Sequence, residues 1–269
     1  DDKVLADWNG MMIAAMTSAA CVFEKPDWLN AAVSAFKFVR DEMQAGGRLS
    51  HSFRAGKLKH AATLDDYANV VRAAVTLYEA TGDTTYIDSA SGWVDVINTH
   101  FWDTSDGGYF FTADDAEALI IRTKSAADSA TPAGNSVIAS TLVRLHYLTG
   151  ENSYRLRAEE IFAAFAGEVS KDFFPLAGLL CANEILQRGA HVVIIGDPGD
   201  KNTAALAKAA WEAANMNKII QRFAPGDALP DGHPATGKGL QGDRATAYVC
   251  IGQTCSLPLT DAGGLKEAL

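Results

Sequence analysis

The sequence is poor in cysteine, and its four thiols are too few for a disulfide framework in a chain of 269 residues. Cys21 and Cys181 lie in apolar helical patterns, where cysteine behaves as a small hydrophobic residue, and we expect both to be buried. Cys250 and Cys255 lie closer together in YVCIGQTCSLP, around a glycine turn. This spacing favours two buried thiols on paired strands, and it leaves open a redox pair or half of a metal site.

The chain also lacks any run of lysine or arginine. Its 33 acidic residues outnumber 23 basic ones, and the formal net charge is −10 at pH 7. No basic stretch could neutralise a row of phosphates, so nucleic acid is not an expected partner. The apolar run at residues 10–23 is too short to span a bilayer and follows acidic residues. We therefore expect a cytoplasmic protein that does not bind membranes.

A repeated pattern organises most of the sequence. Three segments each contain an apolar helix, a short polar turn, an aromatic residue and an amphipathic helix, at residues 9–39, 65–97 and 135–165. The aromatic residues are Trp28, Tyr86 and Tyr154. The first helix of each unit is apolar on nearly every face, whereas the second keeps a polar stripe. This pattern predicts inner helices that alternate with outer ones, in a curved α/α solenoid or a toroid.

Long connections separate the three units. Residues 44–62 and 102–134 both alternate like β-hairpins, which we place at 48–59 and 109–123. Each inner helix begins where a long connection ends, so the amino termini of the inner helices should gather at one loop-rich mouth. These termini read ADWNG, LDDYA and AGNSV.

The pattern changes near residue 190. HVVIIG, KIIQRF and ATAYVCIGQTCSLPLTD predict short strands, while NTAALAKAAWEAAN and AGGLKEAL predict helices. We therefore divide the chain into a helical-hairpin domain at 1–189 and a small α/β segment at 190–269. The stretch IIGDPGD lacks the Gly-Lys-Ser/Thr end of a phosphate loop, and we interpret its glycines and proline as a tight turn.

Five stretches of the sequence resemble, in order, the second half of the thioredoxin-domain-containing, spermatogenesis-associated protein 20-like family. They are DDKVLADWNGMMIAAM, LDDYANVVRAAVTLYEATGD, GGYFFT, RTKSAADSATPAGNSV and AYVCIGQTCSLPLTD. The resemblance implies a mainly α protein with a partial α/α toroid of the six-hairpin glycosidase and N-acylglucosamine 2-epimerase kind, β-hairpin loops and a small C-terminal α/β segment. In the family, a thioredoxin-like domain precedes the toroid.

The resemblance covers only part of a ring, which implies a fragment or a chain completed by a partner. Inner-helix flanks such as Met12, Met16, Val71 and Val75 should then be exposed and covered by the missing N-terminal half or by another chain. The family transfers no secure catalytic residue to this sequence. It indicates a place for the site, which is the mouth of the toroid.

At that mouth, carboxylates lie beside aromatic residues, as in sites that bind sugars and move protons. The candidate catalytic residues are Asp65, Asp66 and Asp128, and we favour Asp66 because Tyr67 and other rim residues would enclose it. The candidate substrate-binding residues are Trp8, Asn9, Tyr67, Arg122, Lys124 and Asn135. His51 and His60 offer bases that titrate nearer neutrality. Plain capping stays open for the two adjacent aspartates, because Thr63 and Asp66 have the spacing of a capping box.

These residues predict a carbohydrate-active enzyme, either a sugar epimerase or isomerase or a glycoside hydrolase, that acts on a small sugar-like ligand without cofactor or metal. The alternative is a non-catalytic binding or scaffold module that works with a thioredoxin-like domain. An enzyme needs two titratable groups beside one cavity, whereas a scaffold needs only an exposed surface.

Overall fold

The computed structural model describes residues 2–117, 120–229, 233, 235–252 and 254–269. Helices dominate the first 188 residues of this described part. They are α1 (Ala6–Phe23), α2 (Pro26–Glu42), α3 (Leu64–Thr81), α4 (Thr85–His100), α5 (Gly134–Thr149), α6 (Asn152–Val169) and α7 (Ala177–Arg188), with a 3-10 turn at Phe174–Leu176 before α7. None of the helices in these ranges is both long and apolar enough to cross a membrane.

The helices form the two predicted layers. α1, α3, α5 and α7 form an inner row in which each helix packs against the next, while α2, α4 and α6 lie outside. The middle inner helices bury residues on nearly every side, including Val71 in α3 and Leu142 in α5. The outer helix α2 buries a single stripe of Ala32, Phe36 and Val39. The layers thus follow from how much of each helix is apolar.

Short turns with left-handed backbone end three of the inner helices. Glu24 after α1, Gly82 after α3 and Gly150 after α5 have φ values of 52°, 77° and 79°. A left-handed residue stops a helix and lets its last carbonyl groups bond to the next turn. Each outer helix can therefore begin within a few residues and run back antiparallel to its partner.

The first long connection is the predicted hairpin. β3 (Arg48–Arg54) pairs antiparallel with β4 (Lys57–Ala61). The chain turns at Ala55 and Gly56, whose φ values of 50° and 75° are both left-handed. The short strands β1 (Val4–Leu5) and β2 (Gln44–Ala45) flank β3.

The second predicted hairpin, at 109–123, includes residues 118 and 119, which lie outside the described residues. In the rest of that range the prediction is wrong, because no strand forms there. Side chains hold the connection instead of a ladder of backbone bonds. Arg122 donates to the carbonyls of Thr112 and His100, and Lys124 donates to that of Gly107 at 2.6 Å.

After α7 the chain forms the predicted small sheet, with strand order β6-β5-β7-β8. The strands are β5 (Ala190–Ile195), β6 (Lys218–Phe223), β7 (Thr246–Ile251) and β8 (Thr254–Cys255), and the helices are α8 (Lys201–Glu212) and α9 (Ala262–Ala268). β5 pairs parallel with β6 and antiparallel with β7. A separate apolar core forms between this sheet and its two helices.

The cysteines differ from expectation. Cys250 and Cys255 lie opposite each other on β7 and β8, as predicted, but they form a disulfide instead of two free thiols. Cys21 is half-buried and Cys181 is exposed, so the prediction that both are buried is wrong. Cys181 is exposed because its side of α7 lines a large cavity inside the row of inner helices.

The small sheet covers the carboxyl ends of the inner helices. On β6, Gln221 donates to the hydroxyl of Tyr78 at 2.9 Å and to the carbonyl of Leu148 at 2.8 Å. The backbone N–H of Ile220 donates to Glu79 at 3.0 Å. The sheet edge is thereby covered by the ends of α3 and α5, at the end of the helices opposite their long connections.

The expected exposed flank is only partly present. Met12 is 59% exposed and Met16 is half-buried, but Val71 and Val75 are almost fully buried. For these two valines the expectation is wrong, because α1 and α5 pack against opposite sides of α3.

Candidate active site

Backbone N–H groups tie the inner amino termini to each other at the mouth. The N–H of Asp7 in α1 donates to Asp66 at 3.1 Å, and that of Gly134 in α5 donates to Asp65 at 2.9 Å. The N–H of Leu64 donates to the carbonyl of Phe111 in the second long connection at 2.9 Å. The first turn of α3 therefore joins both neighbouring inner helices and a long connection.

Asp66 accepts the largest number of these hydrogen bonds, and its side chain is fully buried. Its carboxylate accepts from the N–H of Thr63 at 2.7 Å, from the Thr63 hydroxyl at 2.9 Å and from the N–H of Asp7. The Thr63 side chain caps the helix in return, which completes the capping box. Both carboxylate oxygens also lie 3.0 Å from Nδ1 of His51. Asp66 is thus saturated with hydrogen bonds.

His51 is oriented by that contact. A carboxylate can only accept, so Nδ1 of His51 carries the proton and Nε2 is left as the second functional nitrogen. Nε2 makes no hydrogen bond within the described residues, and the side chain is 34% exposed. The hydrogen bond to Asp66 raises the pKa of His51 above its ordinary value. A buried aspartate that orients a half-exposed histidine can support general acid or base catalysis.

Asp7 completes a cluster with these two residues. Burial and the nearby charge of Asp66 raise the pKa of Asp7. One ligand atom from each of Asp7, His51 and Asp66 lies within 4.8 Å of the others, a spacing that could also hold a divalent cation. A cation there would have to displace the proton that His51 donates to Asp66. His100, Asp114 and Asp115 form a second cluster of this spacing, on the surface.

Asp65 faces a cavity, unlike its neighbour. Its Oδ1 accepts from Gly134, and burial is the largest of the effects that raise its pKa to about 6. The charges of Asp66 and Asp7 add to the rise. The cavity has a volume of about 150 Å³ and is also lined by Phe111 and by the hydroxyl-bearing residues Thr123, Ser125, Ser129 and Thr131. A carboxyl group that titrates near neutrality is therefore presented to a small polar cavity.

Three of the other predicted site residues hold the mouth together. Asp128 accepts from the N–H groups of Ala133 at 2.9 Å and Gly178 at 2.7 Å, at the starts of α5 and α7. Asn135 is buried and bonds to both backbone groups of Tyr109 and to the carbonyl of Ser125. The hydroxyl of buried Tyr67 accepts from the N–H of Leu49 at 3.0 Å.

The remaining predicted residues divide between the loops and the rim. Arg122 and Lys124 bond to the second long connection as described, and both lie over the ring of Phe110. Asn9 donates to the carbonyl of Leu5 at 2.8 Å, within the first turn of α1. Trp8 is 60% exposed at the rim. Of the two histidines, His51 joins the cluster and His60 is exposed on β4.

Two features of the site are absent from the sequence prediction. Phe111 is 41% exposed and lines the cavity beside Asp65. The hydroxyl-bearing residues of that cavity come from one segment, RTKSAADSATPA, which precedes α5. The sequence feature that could have identified these cavity residues is the density of serine and threonine in a long connection next to an inner helix.

Comparison with known proteins relates the whole chain to one group of curated sequences. No family model matches it. It is 32% identical over 291 aligned residues to human spermatogenesis-associated protein 20, with 100% of this chain and 36% of that protein covered. The chain therefore spans about a third of the length of the curated relatives it matches.

Solved structures with the same fold are more distant in sequence. A family 76 α-mannanase from Bacteroides thetaiotaomicron matches with a TM-score of 0.55 at 15% identity, over 77% of this chain and 57% of that one. Cellobiose 2-epimerase from Bacillus thermoamylovorans matches with a TM-score of 0.53 at 14% identity, over 63% and 46%. At such identities these matches establish the α/α-toroid fold and nothing further.

Proposed function

The chain belongs to the spermatogenesis-associated protein 20-like family, and from that premise we propose that its toroid mouth is a carbohydrate-active site. The reaction is an epimerisation, isomerisation or hydrolysis of a small sugar. The observation that carries the proposal is the Asp65 carboxyl group, whose pKa of about 6 and position on the mouth cavity suit it to proton transfer. Two solved structures with this fold are a mannanase and an epimerase, and on that ground we take a sugar as the substrate class.

Asp65 lines the mouth cavity, and His51, which Asp66 orients in the cluster with Asp7, is the candidate for the second acid/base group. The pKa of Asp65 is about 6, and the hydrogen bond to Asp66 raises the pKa of His51 above its ordinary value. Above pH 6 Asp65 is therefore mostly a carboxylate that can accept a proton, while the raised pKa of His51 favours the imidazolium form that can donate one. Epimerisation needs removal and return of a proton, and hydrolysis needs a protonated leaving oxygen together with a base. Neither proton transfer requires a cofactor.

The other rim residues take supporting roles. Asp66 positions His51 and holds its Nδ1 proton. Phe111 and Trp8 offer exposed rings against which a sugar face can stack, and the cavity hydroxyls can bond to sugar hydroxyls. Asp128 and Asn135 position α5 and α7 around the cavity through the bonds described above.

The test is turnover of a panel of mono- and disaccharides, followed by NMR for new anomeric or epimeric signals. Asp65→Asn and His51→Gln should each lower turnover by about 10²- to 10⁴-fold, as expected for loss of a general acid or base. Asp88→Asn, an exposed acid in the first turn of α4, is the matched control and should be unaffected. Full turnover in Asp65→Asn, or no turnover of any sugar by the wild-type chain, would contradict the proposal.

One observation favours the alternative of a binding module. Trp8 and Met12 lie one helical turn apart on α1 and are 60% and 59% exposed. An apolar pair on a ring-forming helix suits contact with another helical hairpin, supplied by the rest of a longer protein or by another chain. In that case the sugar panel would show no turnover, while Trp8→Asp would abolish the association.

The proposal includes the cytoplasmic location expected from the sequence. The Cys250–Cys255 disulfide competes with it, because disulfides are rare in reducing compartments. Cell fractionation, combined with thiol trapping of Cys250 and Cys255, tests this part separately from the chemistry.

A further inference from the structure

The inner helices and the small sheet line a second, larger cavity, here called the lumen, with a volume of about 590 Å³. It extends from Pro132 and Ser136 near the mouth to Lys218 and Ile220 on β6, which form its floor. Arg72 and Glu79 of α3 line it, and they follow Asp65 at intervals of seven residues. Residues seven apart lie on the same face of a helix, so one face of α3 runs from the mouth acid to the lumen floor.

Arg72 is an uncompensated cation in this lumen. It is exposed to the cavity, and its guanidinium group makes no hydrogen bond or ion pair within the described residues. The surrounding wall desolvates it, and Arg144 adds a like charge, so the pKa of Arg72 is lowered. Among the described residues, no carboxylate contributes in the opposite direction. An unpaired guanidinium group that faces a cavity can bind an anionic ligand there.

The neighbouring charges reinforce the positive potential. Arg144 contacts Glu79 through Nη1, at 2.8 and 3.1 Å from its two carboxylate oxygens, and its Nη2 and Nε make no hydrogen bond within the described part of the chain. Lys218 donates to the carbonyls of Trp211 and Ala213 and adds a third positive charge. Two carboxylates line the lumen together with these three cations, Glu79 and Glu184, and Glu184 lies 3.6 Å from Arg188. The lumen interior is thus cationic, in a chain whose net charge is −10.

We propose that the lumen binds a small organic molecule through an oxyanion, a carboxylate or a phosphate, held between Arg72 and Arg144. The guanidinium fork matches both groups in bidentate geometry. Val75, Val137 and Trp211 provide an apolar wall for the rest of the molecule. This binding does not require the proposed function. If the mouth acts on sugars, the ligand is an acidic sugar, because Arg72 lies about 10 Å along α3 from Asp65.

Calorimetric titration of the 269-residue chain tests the site. The probes are glucuronate for the carboxylate, glucose 6-phosphate for the phosphate, and glucose as the neutral control. One or both anions should bind at least about tenfold more tightly than glucose, and Arg72→Gln should remove that advantage, as expected for a hydrogen bond to a charged group. The matched control is Arg155→Gln, on the outer surface of α6, where Arg155 pairs with Glu159.

The melting temperature shows whether a loss of anion binding in Arg72→Gln comes from misfolding. Because Arg72 has no partner to lose, Arg72→Gln should keep or raise the melting temperature of the free protein while it weakens anion binding. Equal affinity for glucose and both anions, or unchanged anion affinity in Arg72→Gln, would overturn the proposal. Anion binding that persists in Asp65→Asn, whether or not any sugar is turned over, separates this site from the fate of the proposed function.

Discussion

The mouth and the floor of the lumen use charge in opposite ways along the same face of α3. At the mouth, Asp7 and Asp66 lie against His51, and Asp65 lines the mouth cavity. At the floor, Arg144 and Lys218 lie near the buried carboxylate of Glu79. Each region contains a charge that is saturated with protein hydrogen bonds. Asp66 has this role at the mouth, and Glu79 has it at the floor.

Each region also contains a charge with fewer hydrogen bonds: Asp65 accepts one from Gly134, and the side chain of Arg72 makes none within the described residues. Burial and like charges raise the pKa of Asp65, and the same two causes lower the pKa of Arg72. Burial raises the pKa of Glu79 as well, so the two kinds of charge differ in their hydrogen bonds and not in the direction of their pKa shifts. The saturated charges therefore hold the structure, while the uncompensated ones have interaction energy left for a ligand. This difference separates the residues that position the site from those that can act on a ligand.

Loss of Glu79 should have the largest effect on stability. Glu79→Ala removes the partner of Arg144 and the acceptor for Ile220, and it leaves two guanidinium groups close together in the lumen. We expect a loss of about 3 to 5 kcal/mol in the free energy of unfolding, measured by urea denaturation. Glu159→Ala, which breaks an exposed pair with Arg155, should cost less than about 1 kcal/mol. Equal losses in the two variants would show that the floor pair is not structural.

The same comparison at the mouth predicts a smaller effect. Asp66→Asn keeps the shape but weakens the acceptor for Thr63, Asp7 and His51, and we expect it to cost about 1 to 3 kcal/mol. It should also lower the pKa of His51 toward its ordinary value, because the carboxylate that raises it is gone. NMR titration of the His51 ring checks this point. An unchanged His51 pKa would mean that Asp66 does not position the histidine.

Asp65→Asn should raise the free energy of unfolding at neutral pH, whereas the two substitutions above lower it. The pKa of Asp65 rises from 3.8 in the unfolded chain to about 6 in the folded one, so its stabilising contribution is present below pH 3.8 and is lost as the pH rises through 6. The variant should match the wild type near pH 4 and exceed it by about 1 to 2 kcal/mol at pH 7.5. Thermal melts at the two pH values measure the difference. Asp88→Asn, the exposed control, should show no such pH dependence.

The sequence was sufficient for the helices and for the C-terminal strands. Apolar periodicity placed the inner helices near Trp8, Asp65 and Asn135, and they begin at Ala6, Leu64 and Gly134. These elements were predictable because burial of an apolar face is a local property of the sequence. The irregular structure of residues 109–123 was not predictable, because long-range hydrogen bonds from side chains such as Arg122 replace the strand pairing that the alternating apolar and polar residues suggest.

The roles of adjacent residues could not be predicted from the sequence alone. Successive helical residues point about 100° apart, so Asp65 and Asp66 face different surroundings. Which of them faces a cavity depends on where α1 and α5 pack, and that is settled by contacts such as those to Asp7 and Gly134. The charged residues of the lumen, in contrast, can be recognised in the sequence. Arg72 and Glu79 interrupt an otherwise apolar inner helix at the spacing of Asp65.

The smallest expected effect on stability concerns the aromatic residues of the rim. Trp8 is 60% exposed and Phe111 is 41% exposed, so replacing either with alanine should change the free energy of unfolding by no more than about 0.5 kcal/mol. The two substitutions should affect sugar binding differently, because Phe111 lines the Asp65 cavity, whereas Trp8 does not line it and its N–H donates to Asp7. We expect Phe111→Ala to weaken binding of a turned-over sugar about tenfold and Trp8→Ala to weaken it less, since stacking is strongest where the ring faces the bound ligand. Calorimetric titration of both variants with the same sugar gives the comparison. The reverse order would move the reacting sugar from the Asp65 cavity to the cluster of Asp7 and His51.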